Sequence, residues 1–492
     1  MLRGLRLKKL APESVKYTAS TSFDEILVKP VVKINMAHMA MLVKQGVVDK
    51  AQGAQCLKGL KELPEDLQLD PSLEDVHMNI EALLSEKVGQ DAGGQLNLAK
   101  SRNDQVSTAI RMVLREYLVE IISRLADIRT AILERATEHL DTIIPGYTHL
   151  QHAQPTTLAH HLMAYHDAFQ RDGERLMEAY SRVNQSPLGA AALTSTGVKI
   201  DRGFTARLLG FEGLVENSID AVSSRDFGAE VVADLALSMT NMSRMAEELV
   251  LWSSQEFGVA EISDGYASTS SIMPQKKNAV VAELIRGKTS TVYGDMVATI
   301  SVMKSLPYSY NMDMQQLTPH IWSACETTSS SLKVLVGMLR EVVFDVERFK
   351  ELLKDDTVSA TDLADYLAVK HGIPFRTAHM VVGHLVRVSV NQKRAFREVI
   401  LEDLPKTVKE LAGRKVSIPR NEIDEILDPK KSVESRSVEG GPSKVTVMDM
   451  IKNRKKGVEE MTDWISRSKR MLDKAESELK KTVEELAGGE TS

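Results

Sequence analysis

Residues 106–140 read VSTAIRMVLREYLVEIISRLADIRTAILERATEHL. Apolar side chains recur along this stretch at steps of three and four residues: Val106, Ile110, Val113, Leu114, Tyr117, Leu118, Ile121, Ile122 and Leu125. Because this spacing puts apolar groups on one face of an α-helix, the stretch predicts a single helix that Pro145-Gly146 ends. Such a helix is roughly three times as long as the usual globular helix of about 11 residues.

Four more long helices are predicted downstream. They run from after Pro155 to about Val183, from Phe227 to about Phe257, from Ala279 to about Leu306 and from Pro319 to about Val343. The sequence has no run of short alternating strands at regular spacing, which excludes an all-β fold. Helices of this length do not fit a compact monomer. The pattern therefore predicts an all-α fold whose elongated central bundle is completed by other subunits.

Helix length changes along the chain, and this predicts three domains. Residues 1–100 form a small helical domain, residues 101–355 the long-helix bundle with a loop at 258–278, and residues 356–492 a C-terminal helical domain. The last domain ends in a helical tail, residues 446–492. In the tail Val458, Ile465, Leu472, Leu479 and Leu486 recur every seven residues, but the second stripe of a coiled coil is poor (Met461, Ser468, Ala475, Thr482). A surface helix docked on its own subunit is predicted.

Bulk composition narrows the class of protein. The chain has 492 residues, 43% of them apolar, and a net charge of −6 with both signs scattered throughout, so nucleic acid is not expected as a partner. Its two cysteines, Cys56 and Cys325, fit a reducing cytosol without disulfides. The basic segment Met1–Leu10 lacks the apolar run of a signal peptide, and no apolar stretch is expected to approach a membrane span. A cytoplasmic protein that does not bind membranes is predicted.

The segment from Ser270 to Glu283 carries the richest chemistry. It begins Ser-Ser-Ile-Met-Pro-Gln-Lys-Lys-Asn, follows a loop-like stretch rich in Gly, Ser and Thr, and leads into a predicted helix. A serine can act as a nucleophile or, with a lowered pKa, as a base. Lys276 and Asn278 are suited to hold a carboxylate or the extra charge that develops on it. From the spacing alone, an ordinary polar loop before a helix remains an equal alternative.

A second candidate is the string Gly146-Tyr147-Thr148-His149-Leu150-Gln151, which follows the first long helix. His149 is a candidate proton-transfer group. The nearby His152, His160, His161 and His166 raise the alternative of a metal site, but they form no tight ligand pattern with a carboxylate or a cysteine. No metal is therefore predicted, and these four histidines are expected to lie partly buried on a helix.

Two further motifs lie upstream. Ser101-Arg102-Asn103-Asp104 stands at the start of the first long helix, where an Arg, an amide and free backbone N–H groups make a cradle for a carboxylate. The same residues are good helix caps, and both roles are compatible. The stretch from Glu74 to Glu81 contains three acids and a histidine, a composition typical of a solvated helix face.

Taken together, these motifs resemble the fumarase/aspartase superfamily, whose hallmark is a Ser-Ser-x-Met-Pro-x-Lys-x-Asn loop. Within it the chain is most similar to the argininosuccinate lyase family. The discriminating matches are Glu74-Asp75-Val76-His77, Ser101-Arg102-Asn103-Asp104-Gln105, Gly146 to Gln151, Ser186-Pro187-Leu188-Gly189, Asn217-Ser218-Ile219-Asp220-Ala221-Val222, Ala360 to Leu367 and Gly440-Gly441-Pro442. The resemblance is expected to run from about Thr18 to about Pro442, without the tail.

The resemblance implies a fold and a reaction. The fold is an all-α bundle with smaller domains at each end, assembled as a homotetramer whose active sites are each built by several subunits. The reaction is the last step of arginine biosynthesis, the elimination that splits argininosuccinate into arginine and fumarate with no metal or organic cofactor. A proton is removed next to a carboxylate, the carbanion charge spreads into an aci-carboxylate, and the guanidinium nitrogen leaves.

The resemblance also implies roles for individual residues. Ser270 is the expected base, Lys276 and Asn278 hold the carboxylate, and His149 acts in proton transfer or charge stabilisation with Glu283 as its acidic partner. The remaining expected substrate-binding residues are Ser20, Arg102, Asn103, Thr148, Tyr310 and Gln315.

Three positions depart from the family pattern: Thr318 stands where a substrate-facing Lys is usual, Ala279 replaces a Pro and Ser224 replaces an Asp. Thr318 puts the contacts to the arginine side in question and is the best argument for another superfamily lyase, such as adenylosuccinate lyase or fumarase. A non-catalytic structural protein, like the lens crystallins that resemble this family, is a further alternative. The presence of every expected catalytic residue argues against it.

Overall fold

The computed structural model describes residues 11–64 and 66–488. The sequence-based expectation for the basic segment Met1–Leu10 thus falls outside the described residues. The N-terminal part consists of short helices packed around one longer helix. They are α1 (Pro12–Thr18), α2 (Thr21–Asp24), α3 (Val28–Lys44), α4 (Lys50–Lys61), α5 (Val76–Val88) and α6 (Gln90–Gly93), with 3-10 turns at Glu25–Leu27 and Pro71–Leu73.

The five predicted long helices are all present in the central part, which confirms the helical bundle. The elements are α7 (Arg102–Glu138), α8 (Leu158–Val183), α9 (Arg202–Leu208), α10 (Ser218–Ser223), α11 (Asp226–Trp252), α12 (Val280–Met303) and α13 (Thr318–Glu341). The observed ends lie within a few residues of the predicted ones. The largest difference is at the end of α11, which stops at Trp252 and not near Phe257. The chain turns there, and the amide of Gly258 bonds to the carbonyl of Ser254.

Eight short strands interrupt the helical fold. They are β1 (Ile143–Thr148), β2 (Gln151–Thr157), β3 (Gln185–Ser186), β4 (Gly213–Leu214), β5 (Ala260–Glu261), β6 (Ser268–Thr269), β7 (Lys277–Asn278) and β8 (Val343–Phe344) among the described residues. They pair as four two-stranded sheets: β1 with β2, β5 with β8 and β6 with β7 antiparallel, and β3 with β4 parallel. The hairpins β1–β2 and β6–β7 matter most, because each carries predicted site residues.

The C-terminal part returns to short helices before one very long one. The helices are α14 (Val346–Leu352), α15 (Ala360–His371), α16 (Phe375–Gln392), α17 (Phe396–Ala412), α18 (Arg420–Ile426), α19 (Pro429–Ser435) and α20 (Lys444–Ala487), and 3-10 turns lie at Asp264–Tyr266, Met312–Leu317 and Asp356–Ser359.

The described residues form two large hydrophobic cores. One joins the N-terminal helices to the long bundle, and the other is built from residues between Leu363 and Leu427. The predicted boundaries at 100/101 and 355/356 stay predictions. The packing adds that the helical tail lies in the first core and not in the second, because Val447, Ile451 and Leu479 of α20 are buried there.

The tail helix docks along its own subunit, as predicted. Both of its stripes are used: Ile465 and Leu479 of the seven-residue stripe are buried, and so are Met461, Ser468, Ala475 and Thr482 of the second stripe. Ion pairs to three other helices flank this seam, at Lys33–Glu476 (2.8 Å), Lys61–Glu484 (3.4 Å) and Arg207–Glu478 (3.1 Å). The small second stripe, which argues against a zipper, therefore allows close packing on the bundle.

One stretch does not match the expectation about membrane spans. Pro12–Lys44 has the length and hydropathy of a span, so the expectation that no apolar stretch approaches one is wrong. However, 72% of the apolar 18-residue window within this stretch is buried inside the protein, as in a core helix. Its apolar character is thus explained by α3, whose Val31, Ile34 and Met39 lie in the first core.

Candidate active site

A cavity of about 120 Å³ lies where the start of α7 meets α2, α5 and the turn Met312–Leu317. Five of the seven predicted substrate-binding residues line it: Ser20, Arg102, Asn103, Tyr310 and Gln315. The other lining residues are Phe23, Asp24, Leu27, Glu74, Asp75, His77, Val106, Ile110, Arg225, Met312, Met314 and Thr318. Segments about 200 to 300 residues apart in the chain are thus brought to one place.

The Ser101–Asp104 motif fixes the wall that α7 contributes. The Ser101 side chain accepts from the amide of Asn103, and the Asp104 side chain accepts from the amide of Ser101, so the helix begins with a capping box. Asp104 also accepts from the amides of Gly189 (2.9 Å) and Ala191 (2.8 Å). Burial raises the pKa of Asp104 to about 6, against the effect of these hydrogen bonds. The predicted capping role is confirmed, and it sets the direction of Arg102 and Asn103.

Arg102 is held by two acids from the start of α5. Its Nη1 donates to Asp75 Oδ2 at 2.7 Å and lies 3.7 Å from Glu74 Oε2. Asp75 has a second role, because its Oδ1 accepts from the amide of Met78 and caps α5. The interpretation of residues 74–81 as a solvated face is wrong, since Val76, His77, Asn79 and Ile80 are buried. Packing against the first core overrides the polar composition.

Ser20 and Asp24 form the opposite wall. The Ser20 hydroxyl donates to Asp24 Oδ2 at 2.6 Å, and the same oxygen accepts from the amide of Val76 at 3.2 Å. Burial raises the pKa of Asp24 to about 6, above the usual range of a carboxyl. Near neutral pH this wall can present either a carboxylate or a carboxylic acid to a ligand.

The turn Met312–Leu317 closes the cavity. Gln315 donates from Nε2 to the carbonyl of Thr18 at 3.1 Å, which ties the turn to the N-terminal segment. Tyr310 is half-buried, and this burial raises the pKa of its phenol, while Arg225 and Arg102 act in the opposite direction. Thr318, the departure from the family pattern, is buried in the same wall. The departure therefore falls inside the cavity.

Three lining groups have no role predicted from the sequence: Asp24, His77 and Arg225. Both ring nitrogens of His77 are buried without a hydrogen-bond partner among the described residues, and burial lowers its pKa to about 4, so the ring is neutral. The only sequence signal at Arg225 is the unusual Ser224 before it. Asp24 lies four residues after Ser20, which is the nearest residue with a predicted role.

Ser270 directly follows β6, where the loop of the hairpin β6–β7 begins, and it does not line the cavity. Its amide bonds to the carbonyl of Lys276 at 3.3 Å, and its Oγ accepts from the amides of Ile272 (3.3 Å) and Met273 (3.1 Å). Two backbone donors to one hydroxyl oxygen favour its ionised form, which a base requires. Lys276 and Glu283 are exposed nearby, and Asn278 is half-buried on β7.

His149 occupies the tip of the other hairpin. Thr148 pairs with Gln151, so His149 and Leu150 form a two-residue turn in which both have φ of +57°. Hairpins of this kind normally use Asn-Gly, since left-handed φ costs other residues about 1 kcal/mol or more each. Thr148, His149 and Leu150 are all exposed, and His149 makes no hydrogen bond or ion pair with Glu283 in the described part of the chain.

The other histidines differ from one another. His160 and His161 are half-buried on α8, as expected, and His161 Nε2 lies 2.6 Å from Glu248 Oε2. For His152 and His166 the expectation of partial burial on a helix is wrong, because His152 is exposed on β2 and His166 is fully buried beside Arg129. Residues 11–64 and 66–488 contain no group of three or more His, Cys, Asp or Glu placed to hold a metal.

Helix lengths separate the cavity from both hairpins. Arg225 of the cavity precedes α11, whose 27 residues extend about 39 Å at 1.5 Å per residue. Tyr147, two residues before His149, packs on Phe257 just beyond the far end of α11, with ring centroids 5.8 Å apart. Likewise Thr318 begins α13, and Ser263 of the loop at 258–278 donates to Glu341 at the other end of α13 at 2.6 Å. One chain therefore places its cavity and its hairpins at opposite ends of the bundle.

Family models match most of the chain. A model described as lyase matches residues 8–294, and one described as argininosuccinate lyase C-terminal matches residues 357–434. The argininosuccinate lyase of Methanocaldococcus jannaschii is 45% identical over 92% of this chain and 93% of its own length. The chain belongs to the argininosuccinate lyase family. The family member from Methanothrix thermoacetophila is 44% identical over 98% of this chain and 99% of its own length.

Solved structures share the fold of this chain. The crystal structure of EDDS lyase in complex with formate superposes with a TM-score of 0.89, 30% identity, and coverage of 98% of this chain and 97% of that one. Class II fumarase from Schistosoma mansoni, 17% identical with a TM-score of 0.71 over 83% of this chain and 91% of its own, shares the fold. The alignment with the Methanothrix protein also corrects the expected limit of the resemblance, since 98% coverage takes in most of the tail.

Proposed function

We propose that this lyase cleaves argininosuccinate into arginine and fumarate by C–N elimination, in the cytoplasm and without a metal or organic cofactor. The main support is the cavity in which Ser20, Arg102, Asn103, Tyr310 and Gln315 lie together. It combines guanidinium, carboxylate, amide and phenol groups, the set that a ligand with both carboxylate and guanidinium ends requires. The family relatives named argininosuccinate lyase support the same substrate.

In this proposal Ser270 removes the proton next to a substrate carboxylate. The two amides that already donate to its Oγ stabilise the alkoxide, because they need no rearrangement when the charge forms. The carbanion charge then moves into the neighbouring carboxylate. Lys276 and Asn278 are assigned to hold it, because both lie on the same hairpin as Ser270.

His149 is assigned to proton transfer or charge stabilisation at the departing nitrogen. Its place at the tip of an exposed hairpin lets it reach into a neighbouring molecule, and its left-handed backbone fits the strain often found at functional positions. Glu283, at the first turn of α12, is assigned as its acidic partner, and Thr148 as a substrate contact. Contact between Thr148 and a substrate in the cavity requires more than one chain.

The site is completed by copies of the chain. Because one chain holds its cavity and its hairpins at opposite ends of helices about 35 to 39 Å long, no small substrate can touch both. Antiparallel packing of two bundles brings the cavity end of one copy to the hairpin end of another. We therefore assign a homotetramer with shared active sites.

An apolar face on α12 offers the surface for this packing. Leu284, Val297 and Ile300 are 60%, 59% and 53% exposed, although α12 belongs to the central bundle. Between them, Gly287 and Gly294 leave open space where a side chain would stand. Exposed apolar side chains beside glycines allow another helix to approach closely.

A steady-state assay tests the activity. Purified protein is given argininosuccinate, and fumarate is followed by its ultraviolet absorbance, with adenylosuccinate and malate as comparison substrates. We expect fumarate from argininosuccinate only. Turnover of adenylosuccinate or malate without cleavage of argininosuccinate would assign another superfamily activity. An intact tetramer inactive on all three would indicate a structural protein.

A further inference from the structure

Arg225 is a cation in the cavity wall with no acidic partner. The residue is 2% exposed, and no ion pair joins its guanidinium to a carboxylate of the described chain. Nη1 donates to the carbonyls of Ser224 (2.8 Å) and Val222 (3.3 Å) and lies 3.4 Å from Ser107 Oγ. Nε is buried without an acceptor, and Nη2 makes no hydrogen bond to a described residue. Half of this guanidinium is therefore unused by the protein.

The other charges of the cavity do not explain Arg225. The second cation in the lining, Arg102, is already neutralised by Asp75 and Glu74. The remaining acid, Asp24, is bonded to Ser20 and to the amide of Val76, and it does not contact Arg225. A buried cation without a counter-charge is costly, and a bound anion removes the cost. Arg225 is thus the lining group with unmatched positive charge.

Tyr310 indicates where the anion would bind. Among the charges near its phenol, Arg225 has the largest effect and Arg102 the second largest. Tyr310, Arg225 and Arg102 all line this cavity, so a phenol O–H and two guanidinium groups are available there as donors. Thr318 lines the same wall, so no lysine competes for an anion there.

We infer that Arg225 binds the α-carboxylate at the arginine end of the substrate and supplies the positive charge that Thr318 cannot. This inference rests on the proposed function. Ser270 is assigned to the proton of the succinyl end, and Lys276 and Asn278 are assigned to its carboxylate. Because all three lie on the hairpin β6–β7 and not in the cavity, the cavity is left for the arginine end. The guanidinium and amino groups of that end meet Asp24 and Glu74, and its carboxylate meets Arg225 and Tyr310.

The structural alternative is that Arg225 only closes the end of α10 through the carbonyls of Val222 and Ser224 and ties it to α7 through the Ser107 hydroxyl. Arg111 provides a matched comparison. It too is a buried arginine that donates to carbonyls, those of Arg182 (2.7 Å) and Val183 (3.2 Å), and it packs on the ring of Phe227, but it does not line the cavity. A loss caused by unsatisfied carbonyls would appear in both variants.

The test compares two product-like inhibitors of argininosuccinate cleavage. Arginine carries the α-carboxylate, and agmatine is the same molecule without it. In the wild type we expect arginine to inhibit more strongly, by roughly 10- to 100-fold, the range for a charge-assisted hydrogen bond. In Arg225→Met the inhibition constant of arginine rises towards that of agmatine, while agmatine changes less than about twofold. KM for argininosuccinate rises more than kcat falls, because the contact is remote from the reacting bond.

Three further variants separate the explanations. Arg111→Met is expected to lower the melting temperature and keep the preference for arginine over agmatine. Arg225→Lys, which keeps the charge, should retain part of the preference for arginine over agmatine. The double variant Arg225→Met/Thr318→Lys should regain part of the preference that Arg225→Met loses. Equal weakening of both inhibitors in Arg225→Met, or an unchanged preference, overturns the inference. A wild type that does not cleave argininosuccinate instead overturns the proposed function, which keeps the two failures distinct.

Discussion

Mixing two inactive variants should restore activity if a cavity and a catalytic hairpin of different copies form one site. Arg102→Met removes a cavity cation, and Ser270→Ala removes the base. After denaturation and refolding of equal amounts, each subunit position carries either variant with a probability of about one half. A site needs an intact cavity from one copy and an intact hairpin from another. About one quarter of the sites should therefore be active, whereas each variant alone is nearly inactive.

The magnitude follows directly from the separation in the chain. Because the two groups lie at opposite ends of helices about 35 to 39 Å long, no intact site can use both from one subunit. A matched control mixes Arg102→Met with Asn103→Ala, two neighbours on the same wall, which should restore nothing. The assay is fumarate release, with native mass spectrometry to verify subunit exchange. Complete inactivity of verified Arg102/Ser270 hybrids would refute the shared site.

Three other outcomes are expected. Ser270→Ala should lose nearly all turnover yet still bind argininosuccinate in calorimetry; near-normal turnover would move the base assignment to Ser271 or His149. Asp24→Asn should flatten the pH dependence of stability. Burial raises the pKa of Asp24 to about 6, so ionisation of this carboxyl opposes folding at neutral pH. The wild type becomes more stable as the pH falls through about 6 towards the unfolded pKa of about 3.9, because the carboxyl is then protonated in the folded state. From about pH 7 to pH 4, the free energy of unfolding of the wild type, measured by urea denaturation, should rise on the order of 2 kcal/mol more than that of Asp24→Asn. An equal rise in both proteins would contradict this. Val297→Glu should dissociate the assembly in light scattering and abolish turnover, while an unchanged oligomer would exclude that face.

The long helices could be predicted because their signal is local. In α7 the apolar residues recur at helical spacing over the whole length, and the first core buries them as that spacing requires. The β1–β2 hairpin could not be predicted in the same way. Its turn residues are His149 and Leu150, which lack the Asn-Gly signal of a two-residue turn, and tertiary contacts such as Tyr147 on Phe257 hold the backbone instead.

Site residues were predictable where a motif carried them and not where only the fold unites them. Arg102 and Asn103 sit in a recognisable string, and the structure places them with Ser20 and Gln315. Arg225 carries no such motif. Its importance depends on burial and on the absence of an acidic partner in the described chain, which are properties of packing between α7, α10 and the turn at Met312–Leu317.

Helix length links the fold to the chemistry. A shorter bundle could close its own hairpins over its own cavity, but α11 and α13 hold them far apart. Under the proposed roles, a single chain therefore separates the binding groups from the base. Assembly then becomes a condition for catalysis and not only a source of stability. This also explains why apolar residues such as Val297 remain exposed beside glycines on α12, and why His149 stands on a strained, solvent-facing turn. In one chain these features have no local function, and they are accounted for when a second copy supplies the cavity.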